Sequence, residues 1–159
     1  MYARDHALIA TPIGLVRIEG DDAVVTALHI GAEGAPAPGR ADAVRTAAEQ
    51  IGAWFAGERQ DLAVPLAPAA TSRGQTLRDG LIAIGYGETL SYGALAQRLG
   101  SSARAIGQLC ARNPLPLFVP CHRVLGSGGV LGAYSAGDGP ATKSWLLEHE
   151  RRIARKTLL

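Results

Sequence analysis

Residues 91–114 read SYGALAQRLGSSARAIGQLCARNP. Small and apolar side chains recur at helical spacing on both sides of Gly100-Ser101, so the stretch predicts two short helices joined at that pair. Ser102 is placed to cap the second helix and Pro114 to end it. Two short helices on a tight glycine turn fit a helix-turn-helix, and equally an αα-corner of any helical domain.

Working outward, residues 72–84 fit a helix stopped by Gly85 and Gly87. Downstream, LPLFV (115–119) reads as a short buried strand or extended segment. LGSGGVLGAY (125–134) reads as a flexible hairpin or loop, and ATKSWLLEHERRI (141–153) as a final helix. Upstream, Pro65 and Pro68 keep LAVPLAPAA (62–70) from being helical and make it a linker. Before it, ADAVRTAAEQIGAWFAG (41–57) carries Val44, Ala47, Ala48, Ile51, Trp54 and Phe55 on one face and stops at Gly57. Residues 8–30, LIATPIGLVRIEGDDAVVTALHI, read as two β-rich runs around Asp21-Asp22, followed by a Gly/Pro-rich loop. The predicted class is α+β. Residues 1–68, linker included, form a small α/β domain with an antiparallel sheet, and residues 69–159 a mainly helical, winged-helix-like domain with the helix-turn-helix.

The chain has 159 residues, 47% of them apolar, enough for a core without covalent staples. Its only cysteines, Cys110 and Cys121, supply neither a disulfide framework nor a four-ligand zinc set, and we expect no metal, no cofactor and a reducing, cytoplasmic setting. Its apolar runs fall far short of the roughly 20 residues that span a bilayer. The net charge of +2 conceals an asymmetry, because residues 1–70 carry −4 and residues 71–159 carry +6. The basic half suits a polyanion, and equally a solvated basic face.

FVPCHRV (118–124) places Cys121 between a proline and His122. An ordinary thiol with a pKa near ~8.5 is a few per cent ionised at neutral pH, so a nucleophilic cysteine needs a base or a positive field nearby. His122 is a candidate base acting through a water or a third residue, since neighbours on an extended segment point apart. A buried inert cysteine beside a surface histidine is the plainer alternative. Asn113-Pro114 lies upstream, Tyr134-Ser135 downstream, and Lys143 and Glu150 share a face of the last helix, so polar groups from several segments are available around one thiol.

Asn113-Pro114, VPCHRVLGSGGVLGAYSAG (119–137) and KSWLLEHE (143–150) resemble the active-site segments of the O6-alkylguanine-DNA alkyltransferases, or methylated-DNA–protein-cysteine methyltransferases. Weaker similarity runs through GETLSYGALAQRLG (87–100) and ARAIG (103–107) back to TPIGLVRIEG (11–20) and AWFAGE (53–58). The resemblance implies direct-reversal repair of double-stranded DNA: an alkylated guanine is flipped out of the duplex and its O6-alkyl group passes once, irreversibly, to Cys121. It leaves open whether O4-alkylthymine is also a substrate. By the same resemblance His122 takes the thiol proton through a water and Glu150 orients His122. Asn113 holds the turn between the DNA-reading helix and the cysteine segment, and Tyr92 and Lys143 assist the departing guanine. Val124, Tyr134, Ser135 and Cys110 belong to the base pocket. Arg104 fills the gap left by the flipped nucleotide, and Tyr92, Gly93, Ala105, Gly107 and Ser127 meet DNA through the minor groove. The protein is expected to be a monomer.

The chain also departs from the family pattern. Arg73, Gly74 and Arg78 stand where the family has a Phe-Gln pair and a tryptophan, which points Arg73 or Arg78 toward phosphate. The turn before Arg104 is two residues shorter, and Ala136 replaces a pocket-loop glycine, narrowing the site against bulky alkyl groups. Cys110 occupies a position that is usually apolar. Two other functions compete: a lesion-binding module that recruits repair factors without transferring anything, in which the cysteine is replaced, and a cysteine hydrolase, which turns over.

Overall fold

The computed structural model describes residues 4–158 and divides into two compact units, Met1–Ala67 and Pro68–Leu159.

In the first unit, β1 (Asp5–Thr11), β2 (Gly14–Gly20) and β3 (Val25–Ile30) form an antiparallel sheet in the order β1-β2-β3. Alternation sends Val16, Ile18 and Gly20 to the buried face of β2 and Arg17 and Glu19 to the other. The helix α1 (Asp42–Phe55) covers the sheet with Val44, Ala47, Ile51 and Trp54. A side chain such as Trp54, only 1% exposed, contributes on the order of 2–3 kcal/mol by burial. The sequence pattern merges β1 and β2 into one run, but the chain reverses at Pro12-Ile13. There the Thr11 hydroxyl accepts from the Ile13 amide at 3.2 Å and donates to the Gly14 carbonyl at 2.6 Å.

The second unit begins with α2 (Ser72–Ile82), capped by Thr71, whose hydroxyl accepts from the Gly74 amide. After it come β4 (Leu90–Ser91), α3 (Tyr92–Leu99) and α4 (Ala103–Ala111), then β5 (Val124–Leu125) and α5 (Pro140–Leu158). Ser91 and Ser102 cap α3 and α4, each accepting from the amide three residues on. Gly100 ends α3 in the left-handed region at φ 63°, which allows a turn of only three residues, 100–102, before α4 begins. α2 packs against α3 at Gly80, where a Cβ would come within 2.4 Å of the Leu99 side chain. Leu77, Leu81, Ile84, Leu95, Ile106, Leu115 and Leu146 form the interior.

Two expectations need correction. LPLFV is buried, but it is a turn rather than a strand: Leu117 sits at φ 75°, and the Val119 amide donates to the Leu115 carbonyl. The cysteine segment is not extended either, because Cys121–Arg123 is one 3₁₀ turn. Its exit, β5, pairs in parallel with β4, Leu90 opposite Val124 and Ser91 opposite Leu125. That pairing joins the start of α3, with Tyr92, to the segment that follows Cys121.

Candidate active site

Cys121 is 3% exposed and lines a cavity of about 140 Å³ whose other walls come from Tyr92 on α3, Gly107, Cys110 and Ala111 on α4, and Ala133, Tyr134 and Ser135 on the loop before α5. Asn113 fastens α4 to this wall. Its side-chain amide donates to the Val119 carbonyl at 3.0 Å and to Cys121 Sγ at 3.4 Å, and its Oδ1 accepts from the Leu115 amide at 2.9 Å. A short amide side chain that both donates and accepts is what this turn requires.

Behind the sulfur lies a buried ionic cluster. His122 Nε2 lies 2.5 Å from Glu150 Oε2. Arg123 Nε donates to both carboxylate oxygens at 3.0 and 3.2 Å, Arg123 Nη2 donates to Oε2 at 3.0 Å, and the Gly87 amide donates to Oε1 at 3.0 Å. Burial alone would raise the Glu150 pKa; the bonds from His122 and Arg123 overcome it and hold the carboxyl down at about 2. An ionised carboxylate only accepts, so His122 carries its proton on Nε2 and its Nδ1 is the basic nitrogen. Complete burial pushes the His122 pKa down, the bond to Glu150 opposing it, and the neighbouring charges of Arg123 and Lys143 act in the same direction as burial. Neutral at pH 7, His122 is ready to take a proton.

The two sulfurs of the cavity, Cys121 and Cys110, influence each other's protonation through thiol–thiol contact. That contact, with burial, pushes the Cys121 thiol well up, against the pull of the Asn113 amide and the Lys143 ammonium; the same contact lowers Cys110. Cys121 at rest is therefore a thiol that needs a base to become a nucleophile. Lys143, fully buried, does not line the cavity. Its ammonium donates to the carbonyls of Val124 at 2.6 Å and Ala133 at 3.3 Å and lies 5.7 Å from the Tyr92 ring centroid. Burial lowers its pKa and raises that of Tyr92.

Of the residues singled out from sequence, Cys121, His122, Glu150, Asn113, Tyr92, Lys143, Tyr134, Ser135 and Cys110 converge on this region. Val124 is buried outside the cavity lining, its carbonyl taken by Lys143, and Ala136 is likewise not in the lining. Gly107, assigned to the DNA face, also lines the cavity. Arg104 is exposed in the first turn of α4, Gly93 is exposed on α3, Ala105 is half-buried and Ser127 is exposed on a 3₁₀ turn. Arg73 is exposed and its Nη2 donates to the Gly100 carbonyl at 3.1 Å, closing the helix-turn-helix turn. Arg78 is buried at 7% exposure between α2 and α4, which removes it as a phosphate contact. The sequence reading missed Arg123, the main brace of Glu150, whose Nη1 also donates to the Ile84 carbonyl at 2.7 Å. Its position directly after His122 in PCHRV was the available signal. Among the described residues no three His, Cys, Asp or Glu side chains group to hold a metal ion, and no helix is long and apolar enough to cross a membrane.

Comparison with known proteins places this geometry. A family model described as 6-O-methylguanine DNA methyltransferase, DNA binding domain, matches residues 75–152. A methylated-DNA–protein-cysteine methyltransferase of Mycolicibacterium paratuberculosis is 36% identical over 97% of this chain and 96% of its own. The constitutive methylated-DNA–protein-cysteine methyltransferase of Bacillus subtilis is 43% identical over 66% of this chain and 64% of its own. Among solved structures, Mycobacterium tuberculosis OGT in complex with DNA superposes with a TM-score of 0.81 at 36% identity, covering 93% of each chain.

Proposed function

Because the chain belongs to the methylated-DNA–protein-cysteine methyltransferases, we propose that it repairs DNA by direct reversal, moving the alkyl group of O6-alkylguanine onto Cys121 in a single turnover. The observation that carries this reading is a buried thiol at the wall of a cavity, backed by a histidine whose basic nitrogen is fixed by an ionised glutamate.

The chemistry follows from the site. His122 Nδ1 takes the thiol proton, through a bridging water, and the Glu150 carboxylate stabilises the imidazolium. The thiolate attacks the alkyl carbon, the carbon–oxygen bond breaks, and guanine leaves as its O6 or ring nitrogen is protonated or hydrogen-bonded. Tyr92, in the cavity wall, donates to the leaving base; Lys143 acts through it by holding the Val124 and Ala133 carbonyls. The product is a neutral thioether, with no carbonyl for water to attack, so the protein is consumed.

The lesion enters extrahelically, at a cost of a few kcal/mol that is smallest for a poorly paired base. Arg104, exposed at the start of α4, occupies the vacated stack. The small residues Ala103, Ala105 and Gly107 let α4 approach the minor groove. The protein acts as a monomer in the cytoplasm, where its two thiols rest in the reduced form. Intact mass before and after incubation with an O6-methylguanine oligonucleotide tests the reading. One methyl on the peptide holding Cys121, absent in Cys121→Ala, is expected; tight lesion binding with no mass change overturns it.

A further inference from the structure

The cavity that holds Cys121 holds a second sulfur for which the alkyl transfer has no use. Cys110 lies near the end of α4, half-buried, and lines the same cavity as Cys121. Both segments are pinned in that relation. Asn113, one turn past Cys110, bonds directly to Cys121 Sγ, and the Ser135 hydroxyl donates to the Cys110 carbonyl at 3.3 Å. Lys143 supplies a positive field to both sulfurs. An accessible thiol in a positive field beside a buried partner is the arrangement of a peroxide-reactive cysteine with its resolving cysteine.

We propose that Cys110 and Cys121 form an oxidant-responsive pair, in which a hydroperoxide closes a Cys110–Cys121 disulfide that reversibly masks the nucleophile. The Cys110 thiolate attacks a peroxide oxygen; a sulfur–oxygen bond forms, the oxygen–oxygen bond breaks, and hydroxide leaves, taking up the thiol proton as water. Cys121 then attacks the sulfenic sulfur; the disulfide forms, the sulfur–oxygen bond breaks, and a second water leaves. Two thiols lose two electrons and two protons, and one hydrogen peroxide becomes two waters. A lone cysteine in the same place would go on to the sulfinic acid, which thiol reductants do not reverse.

This regulatory meaning rests on Cys121 being the alkyl acceptor, but the disulfide can be read without it. The whole chain, free of DNA, is exposed to a few equivalents of hydrogen peroxide, quenched with N-ethylmaleimide in denaturant and weighed intact. The expected result is a monomer lighter by two hydrogens with no maleimide adducts, a Cys110–Cys121 cross-linked peptide, and both adducts regained after dithiothreitol. Cys121→Ser should instead accumulate a Cys110 sulfinic acid that dithiothreitol does not recover. Two added oxygens on wild-type Cys110 with Cys121 still alkylated, cross-links only between copies, or equal recovery in Cys121→Ser would each overturn the pair. Methyl uptake from O6-methylguanine DNA is measured separately on the oxidised and re-reduced wild type. Uptake is expected to vanish and return, and undiminished uptake by the disulfide form would overturn the masking.

Discussion

Replacing Glu150 with glutamine separates the two consequences of one carboxylate. In the folded protein Glu150 ionises near pH 2 against an ordinary 4.5, a difference of roughly 2.5 units, or about 3 kcal/mol of stability at neutral pH. The sign is fixed by which state binds the proton more tightly. The unfolded chain takes it up near 4.5 and the folded chain does not until about 2, so the contribution is complete above 4.5 and is lost as the pH falls between those values. Urea unfolding should therefore show Glu150→Gln less stable by about 3 kcal/mol at pH 7 and by only about half that at pH 3. The amide also presents an N–H donor to His122, which turns the ring so that Nδ1 carries the proton and can no longer accept it. Methyl uptake, followed by intact mass at pH 7, should slow by about 10²–10⁴-fold, the range for losing a general base. A stability gap that does not narrow between pH 7 and pH 3, or a transfer rate within threefold of wild type, would refute the reasoning.

Other expected outcomes follow from single contacts. Asn113→Ala removes the donors to Val119 and Cys121 and the acceptor for Leu115; chemical denaturation should register a loss of about 1–3 kcal/mol, and methyl transfer should slow. Lys143→Leu leaves the Val124 and Ala133 carbonyls without their donor and should lower stability by a similar ~1–3 kcal/mol in thermal melts, together with a slower transfer. Arg104→Ala, at an exposed position, should leave the melting temperature unchanged while weakening lesion-DNA binding by about 1–3 kcal/mol in a titration. Gly100→Ala, forced into φ 63°, should cost about 1 kcal/mol in urea melts.

The helix-turn-helix pair was legible because its punctuation is local: Ser102 accepts from the amide three residues on, and Gly100 turns left-handed. The β1–β2 hairpin was not, because its turn, Thr11-Pro12-Ile13-Gly14, carries apolar residues that continue the strand pattern on either side. Cys121, His122 and Glu150 could be found from the motif and from helix periodicity. The role of Arg123 could not, since charge on a sequence reads as surface, and only the fold shows a guanidinium buried against a carboxylate 27 positions away. Arg78 misled in reverse: a charged residue where the family pattern has none was read toward phosphate, while packing put it inside.

The Glu150 carboxylate collects donors from the loop at Gly87, from the turn at His122 and Arg123, and does so from the middle of α5. A growing chain thus makes the reactive thiol well before the residue that aligns its base. Until α5 has left the ribosome, His122 and Arg123 have no counter-ion. A chain that ends before α5 would carry Cys121 without the carboxylate that fixes the basic nitrogen of His122, so the capacity for transfer is completed only when the last helix docks.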